Sequence, residues 1–181
     1  VCAKLSPDLP YRVSSPFSGE YFVKPNGTKG DFHYWTVWAG RVGLDGFIRK
    51  RARFFSEYGY QSYPFYETIA KFIPREEDRH TMHDAMLWHQ KAAKPLVADS
   101  RLKRYNAQYY PAAKTLKDTL YVSRILQSDA FKMAIEAHRR DKGYCWGSLL
   151  WKLNDCWPVT SSTAIDYYGN WKPMHYATRR A

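Results

Sequence analysis

The sequence predicts an α/β chain. Three observations carry that expectation. Short apolar stretches close on polar residues, one long segment repeats its apolar residues near a 3.6-residue period, and glycines and prolines separate the two kinds of segment. With 181 residues, 45% hydrophobic and 25% charged, the chain is too apolar for disorder. It is long enough for one domain or part of a larger one.

Residues 1–30 are rich in Pro, Ser and Gly, and Pro7, Pro10, Pro16 and Pro25 forbid a long helix there. Residues 31–40 are dense in aromatics and close on Gly40. Residues 52–56 read as a short strand with Glu57 at its end, and Gly59 permits a turn beyond it. Pro64 can open a helix that continues through Tyr66 to Phe72. Residues 74–84 read as a charged loop with helical turns, 85–91 are ambiguous, and a helix is expected from Leu96 to Gln108. The strongest signal runs from Leu116 to Arg140. Leu116, Leu120, Leu126, Ala130, Ala134 and Ala137 form its stripe, and Thr115 is placed to cap it with Asp118 near its positive end. Residues 144–153 read as a mostly buried strand ending at Asn154–Asp155, with a short extended piece at Ala164–Ile165. In a (β/α)8 barrel, such polar C-terminal strand ends form the active site.

Several function classes are disfavoured. No apolar run approaches the roughly 18 residues of a membrane helix. Cys2, Cys145 and Cys156 have no zinc-finger spacing and cannot form a disulfide framework. Against 17 acidic side chains stand 28 basic ones, a net charge of +11. That invites a nucleic-acid reading. The densest basic cluster, Arg49, Lys50, Arg51 and Arg53, is short, however, and runs into Phe54–Phe55 with no recognition motif. A solvated basic face is the expectation, with neither nucleic acid nor membrane as partner. The start, Val1 to Pro10, has no signal-peptide pattern. Both ends read as cut, so the chain is expected to be an excerpt of a larger multidomain chain.

Glu57 leads the residues that could carry chemistry. A carboxylate at a strand end, after a Phe pair and beside Tyr58 and Tyr60, is set for partial desolvation and for attack or proton transfer. The plain alternative is a surface glutamate. Trp35 and Trp38 with His33 and Asp31 form a second group, in which flat indoles can stack on sugar faces and the polar groups can bind hydroxyls. Trp151, Asn154, Asp155 and Trp157 repeat that mixture. Aromatic core packing competes with both readings. His80 and His83 stand three apart without a third ligand at a recognisable spacing, so no metal site is expected. There is no nucleophile elbow and no phosphate-binding loop.

Taken together, these motifs are familiar. The run from Arg53 to Ser62 resembles the nucleophile motif of the β-mannosidases of glycoside hydrolase family 2. Pro10 to Pro16 is similar to the family's segment after its acid/base strand, and Gly30 to Trp38 to its aromatic active-site loop. His89-Gln90-Lys91, Gly147 to Val159 and Ile165 to Tyr176 fit as well, in family order across almost the whole chain. The resemblance implies a (β/α)8 TIM barrel, present here as its C-terminal part, about strands five to eight. It makes Glu57 the nucleophile at the end of strand seven and puts Trp151 at the end of strand eight, with Trp35, Trp38, His33, Asp155 and Tyr58 as further sugar-binding candidates.

Two departures accompany it. Ser162 stands where relatives often have Trp. The family's acid/base glutamate lies in an Asn-Glu pair, and no such dipeptide occurs in this sequence. A retaining glycosidase needs two carboxyl groups about 5–5.5 Å apart, and this chain supplies one. The implied substrate is a β-mannoside or oligosaccharide, and the implied parent is periplasmic or secreted. No cofactor is called for. The implied partner within the parent is its N-terminal domains and the other barrel half. Another family 2 specificity, glucosaminidase- or galactosidase-like, and a non-catalytic carbohydrate-binding module remain the alternatives.

Overall fold

The computed structural model describes all 181 residues. The first thirty are mostly irregular, apart from the short helix α1 (Cys2–Leu5). Strand β1 (Phe32–Tyr34) follows, then α2 (Gly46–Arg49) and β2 (Phe55–Tyr58). Helix α3 (Tyr66–Phe72), a 3-10 turn at Glu76–Asp78, α4 (Asp84–Trp88), α5 (Pro95–Tyr109) and α6 (Leu116–Arg140) separate β2 from β3 (Ser148–Leu150). Helix α7 (Pro173–Arg180) closes the chain.

The three strands form one parallel sheet in the order β1-β2-β3. Parallel neighbours need crossovers, and helices supply them here. The expected α/β class therefore holds. The sheet has three strands, however, where about four were expected. The aromatic run at 31–40 contains a strand that its lack of alternation concealed. The expected strand at 144–153 contracts to Ser148–Leu150, and its middle residue Leu149 is 54% exposed, so it is not mostly buried.

β2 fixes the position of Glu57. Phe55 and Tyr58 are buried, whereas Ser56 and Glu57 between them are half-buried. Strict alternation would put Glu57 on the side of Phe55. Instead the register slips, so that Phe32 pairs with Phe55 but His33 pairs with Glu57. One extra residue on β2 lets Ser56 and Glu57 both leave the core while Tyr58 returns to it, which is how a bulge re-aims a side chain. Glu57 is therefore inside the strand, one residue before its end, rather than beyond it.

Beneath the sheet, Phe55 stacks on His138 with ring centres 3.9 Å apart, and Tyr58 meets Phe47 and Phe131 edge-on or tilted. His138 and Phe131 come from α6, whose bounds match the expected ones. Its cap is a full capping box. The Asp118 amide donates to Thr115 Oγ1, and the Thr115 amide donates to Asp118 Oδ2, each at 3.1 Å. The Arg49–Arg53 cluster is spent locally. Arg49 pairs with Asp45 at 2.8 Å, Lys50 lies over Phe32, and Arg51 forks onto Asp141 while lying over Tyr144. No helix is long and apolar enough to cross a membrane.

Candidate active site

Glu57 is partly buried, with 22% of its side chain exposed. Its Oε2 accepts a hydrogen bond from Trp35 Nε1 at 3.1 Å, and His33 Nδ1 lies 3.3 Å from the same oxygen. His33 comes from β1 and Trp35 from the residue just past it, so two adjacent parallel strands deliver the cluster at their C-terminal ends. The local arrangement is then locked by Gly59. A β-carbon there would sit 2.5 Å from the Trp35 ring and 2.7 Å from the Trp151 carbonyl oxygen. The glycine is required for space between two tryptophans, and not for the turn its sequence position suggested. Trp151 is held alongside by its amide, which donates to the Tyr58 carbonyl at 2.8 Å, and its side chain is 45% exposed.

Ser15, Asp31 and Ser56 form a hydrogen-bonded group behind His33. Ser15 Oγ is 3.0 Å from His33 Nε2 and donates to Asp31 Oδ2 at 2.5 Å. Ser56 Oγ donates to the same oxygen at 2.5 Å, and the Phe17 amide donates to Asp31 Oδ1 at 2.8 Å. Burial alone would raise the Asp31 carboxyl. The two serine hydroxyls, the Phe17 amide and the charge of His33 outweigh it and hold the group below its ordinary value. Gly30 allows the approach, because its φ is +59° and a β-carbon would fall 1.9 Å from the Phe17 carbonyl oxygen. Ser15, Asp31 and Ser56 border an open cleft of about 430 Å³.

The structure thus gathers Glu57, His33, Trp35, Asp31 and the Trp151 backbone. It does not gather three of the expected sugar-binding residues. Tyr58 is 1% exposed and points into the core, where Ser148 Oγ donates to its hydroxyl, because the bulge returns it to the buried face. Burial pushes that hydroxyl up to about 12. Trp38 is 8% exposed and packs edge-on against Tyr60 beneath Arg101. Asp155 is buried and takes the hydroxyls of Ser161 and Thr163 and the ammonium of Lys152, which ties down the stretch after β3. Trp157, likewise, tilts over His89. Of the residues the sequence left unmarked, Ser15 and Ser56 matter most. Their contacts to Asp31 span 16 and 25 residues, which no local pattern encodes.

No protein-family model matches the chain. Individual relatives do. β-Mannosidase B of Aspergillus flavus is 33% identical over 184 residues, covering 99% of this chain and 21% of that protein. β-Mannosidase B of Thermothelomyces thermophilus is 33% identical over 192 residues, covering 99% and 22%. Among solved structures, a β-D-mannosidase from Dictyoglomus thermophilum superposes with a TM-score of 0.89 at 38% identity, over 99% of this chain and 22% of that one. An exo-β-D-glucosaminidase superposes with a TM-score of 0.63 at 19% identity over 87% of this chain, a likeness of fold alone. The chain spans about a fifth of the length of the β-mannosidases it matches. Along nearly all of its own length, the chain is a relative of the β-mannosidases.

Proposed function

We propose that this chain is the nucleophile-bearing part of a retaining β-mannosidase of glycoside hydrolase family 2, built on a (β/α)8 barrel and belonging to a larger multidomain protein. The observation that carries the reading is the setting of Glu57. It is a half-buried carboxylate near the C-terminal end of the middle strand of a parallel sheet, with one oxygen held by an indole N–H and an imidazole nitrogen 3.3 Å from that oxygen. Three parallel neighbours in chain order, joined through helices, are what part of such a barrel supplies, and its chemistry gathers at that end of the strands.

In this reading Glu57 attacks the anomeric carbon and forms a glycosyl-enzyme. Trp35 and His33 contact Oε2, which leaves Oε1 free to form the new bond. Fixing one oxygen reduces the reorientation needed to reach the attacking geometry. The second carboxyl, which protonates the departing oxygen and later activates water, comes from elsewhere in the full-length protein. Trp151, exposed beside Gly59, supplies a flat apolar surface for the sugar ring.

The test uses the full-length protein and a 2-deoxy-2-fluoro-β-mannoside with an activated leaving group. Mass spectrometry should find the label on Glu57, and Glu57→Gln should abolish it. Label on another residue, or turnover with no label, overturns the assignment.

A further inference from the structure

We propose that the cleft between the loop after β1 and helix α5 is a phosphate-binding site, built by Arg101 and Arg104, that takes a phosphomonoester dianion. The site lies outside the reading of Glu57 and does not depend on it. The two arginines stand three residues apart on α5, on one side of the helix, and converge on Gly40. A β-carbon on that glycine would collide with Arg104 Nη2 and stand 3.4 Å from Arg101 Nε. Its φ is +76°, so backbone shape and space both call for glycine there. Two cations that meet at one point repel unless an anion joins them. No carboxylate of this chain does so, because neither arginine forms an ion pair. Asp99, the acid of α5, is buried and committed to the Tyr63 hydroxyl and to Lys103 at 3.4 Å. Burial first, and then the charge of Arg104, pull the Arg101 guanidinium down from its ordinary value, and Tyr105 offsets only part of that.

The two side chains are also held in place. Arg101 lies over the Trp38 ring and Arg104 over the Tyr105 ring, each 5.4 Å from the ring centre. A guanidinium on a ring face keeps its in-plane N–H groups for other partners. Tyr105 fixes the loop as well. Its hydroxyl donates to the Val37 carbonyl at 2.5 Å, and the Gly40 amide donates to the same carbonyl at 2.9 Å. Helix and loop are thereby tied together around an open cleft of about 390 Å³, whose lining includes Leu96, Val97 and Ser100. Leu96 is 56% exposed and Val97 49%, an apolar shelf beside the two cations. This combination sets the ligand class. Two guanidiniums match the charge of a phosphate dianion and can each grip it through two parallel bonds, whereas one carboxylate would leave a positive charge over. The shelf offers contact to the organic group of an ester, which inorganic phosphate lacks.

The experiment titrates the full-length protein with phenyl phosphate, inorganic phosphate and acetate by calorimetry, at low ionic strength and about pH 8, where a phosphomonoester carries both charges. Phenyl phosphate should bind saturably and more tightly than inorganic phosphate, and acetate should bind at least about tenfold more weakly than either. Arg101→Gln and Arg104→Gln should each weaken phenyl phosphate binding by about tenfold or more. Arg49→Gln removes the same charge from an arginine already paired with Asp45 and should leave the affinity unchanged. Because Arg101 covers Trp38, Arg101→Lys serves as a second variant. It keeps the charge but lacks the fork, and it should also bind more weakly than wild type. Absence of binding to the wild-type protein means that another part of the full-length chain covers or pairs the arginines, and it overturns the site. Binding that survives both glutamine variants puts the phosphate elsewhere and overturns it too. An equal loss in Arg49→Gln reduces the effect to net charge, with the same consequence. Acetate binding as tightly as phosphate overturns the dianion as the ligand class.

Discussion

His138 of α6 lies beneath the sheet against Phe55, and its hydrogen-bond partners fix its protonation state. Ser148 gives its hydrogen to Tyr58, so its oxygen accepts from His138 Nδ1 at 2.7 Å, while the buried Nε2 meets no partner. A neutral ring fits that site and a cation does not. Burial accordingly pushes His138 down from 6.5 to about 4, against a small opposing pull from Asp141. The depressed value means the folded state binds fewer protons than the unfolded one between those limits. Stability is therefore complete above pH 6.5 and is lost as pH falls toward 4, by about 3 kcal/mol at about 1.4 kcal/mol per unit. Urea unfolding across that range should show the slope, and His138→Phe, which keeps an aromatic ring against Phe55, should flatten it. At the site itself, Trp35→Phe removes the N–H on Glu57 and leaves a ring on Gly59. It should lower the rate of Glu57 labelling by about tenfold to a hundredfold, the worth of a bond to a charged acceptor, with little change in melting temperature. Gly59→Ala pushes on the same ring from beneath and should cost both labelling rate and about 1–3 kcal/mol of stability. The place of Glu57 near a strand end, partly desolvated, was legible to within a residue, because a short apolar stretch and a flanking Phe pair are local features. Tyr58 and Trp38 were misplaced because an aromatic run does not say which rings face the core.

At the scale of elements, legibility follows length. α6 is 25 residues long, enough turns for its apolar stripe to declare a period and for Thr115 and Asp118 to mark its start. The three strands have three or four residues each, too few for alternation to show, and β2 breaks its own alternation with the bulge that frees Glu57. α7 went unread because only Met174 and Ala177 of its eight residues are buried, although Pro173 opens it as a first-turn proline. The readable helix also carries the hidden site's foundation, since His138 and Phe131 of α6 pack under Phe55 and Tyr58. Thr115→Ala removes the acceptor for the Asp118 amide and should destabilise the chain by about 1 kcal/mol in chemical unfolding, with Thr115→Ser restoring most of it. Labelling of Glu57 in the full-length protein should be unaffected at temperatures where the variant is folded.

At the scale of the whole molecule, the sheet has two open sides. β1 and β3 each pair only with β2, which leaves a row of backbone donors and acceptors unpaired on either flank. Around β3 the exposed apolar residues gather: Trp146, Leu149, Trp151 and Leu153 are each 45% exposed or more. In the proposed barrel, both flanks and the side chains of Trp146, Leu149 and Leu153 would be covered by the remaining strands, while Trp151 stays open to the sugar. The chemistry is unfinished in the same sense. Glu57 has Trp35 and His33 on it, and the nearby Asp31 is committed to two hydroxyls and an amide, so it is not free to protonate a leaving oxygen. General acid–base catalysis contributes about 10²–10⁴-fold, and a sugar whose departing alcohol is unactivated depends on it most. The 181-residue chain expressed alone should therefore self-associate in size-exclusion chromatography. It should give no measurable turnover of an unactivated β-mannoside, while the full-length protein turns over the same substrate as a dispersed species. A monomeric, active 181-residue chain would mean that the acid lies within it and that the open sheet needs no cover, which would overturn the barrel reading and the two-carboxylate division together.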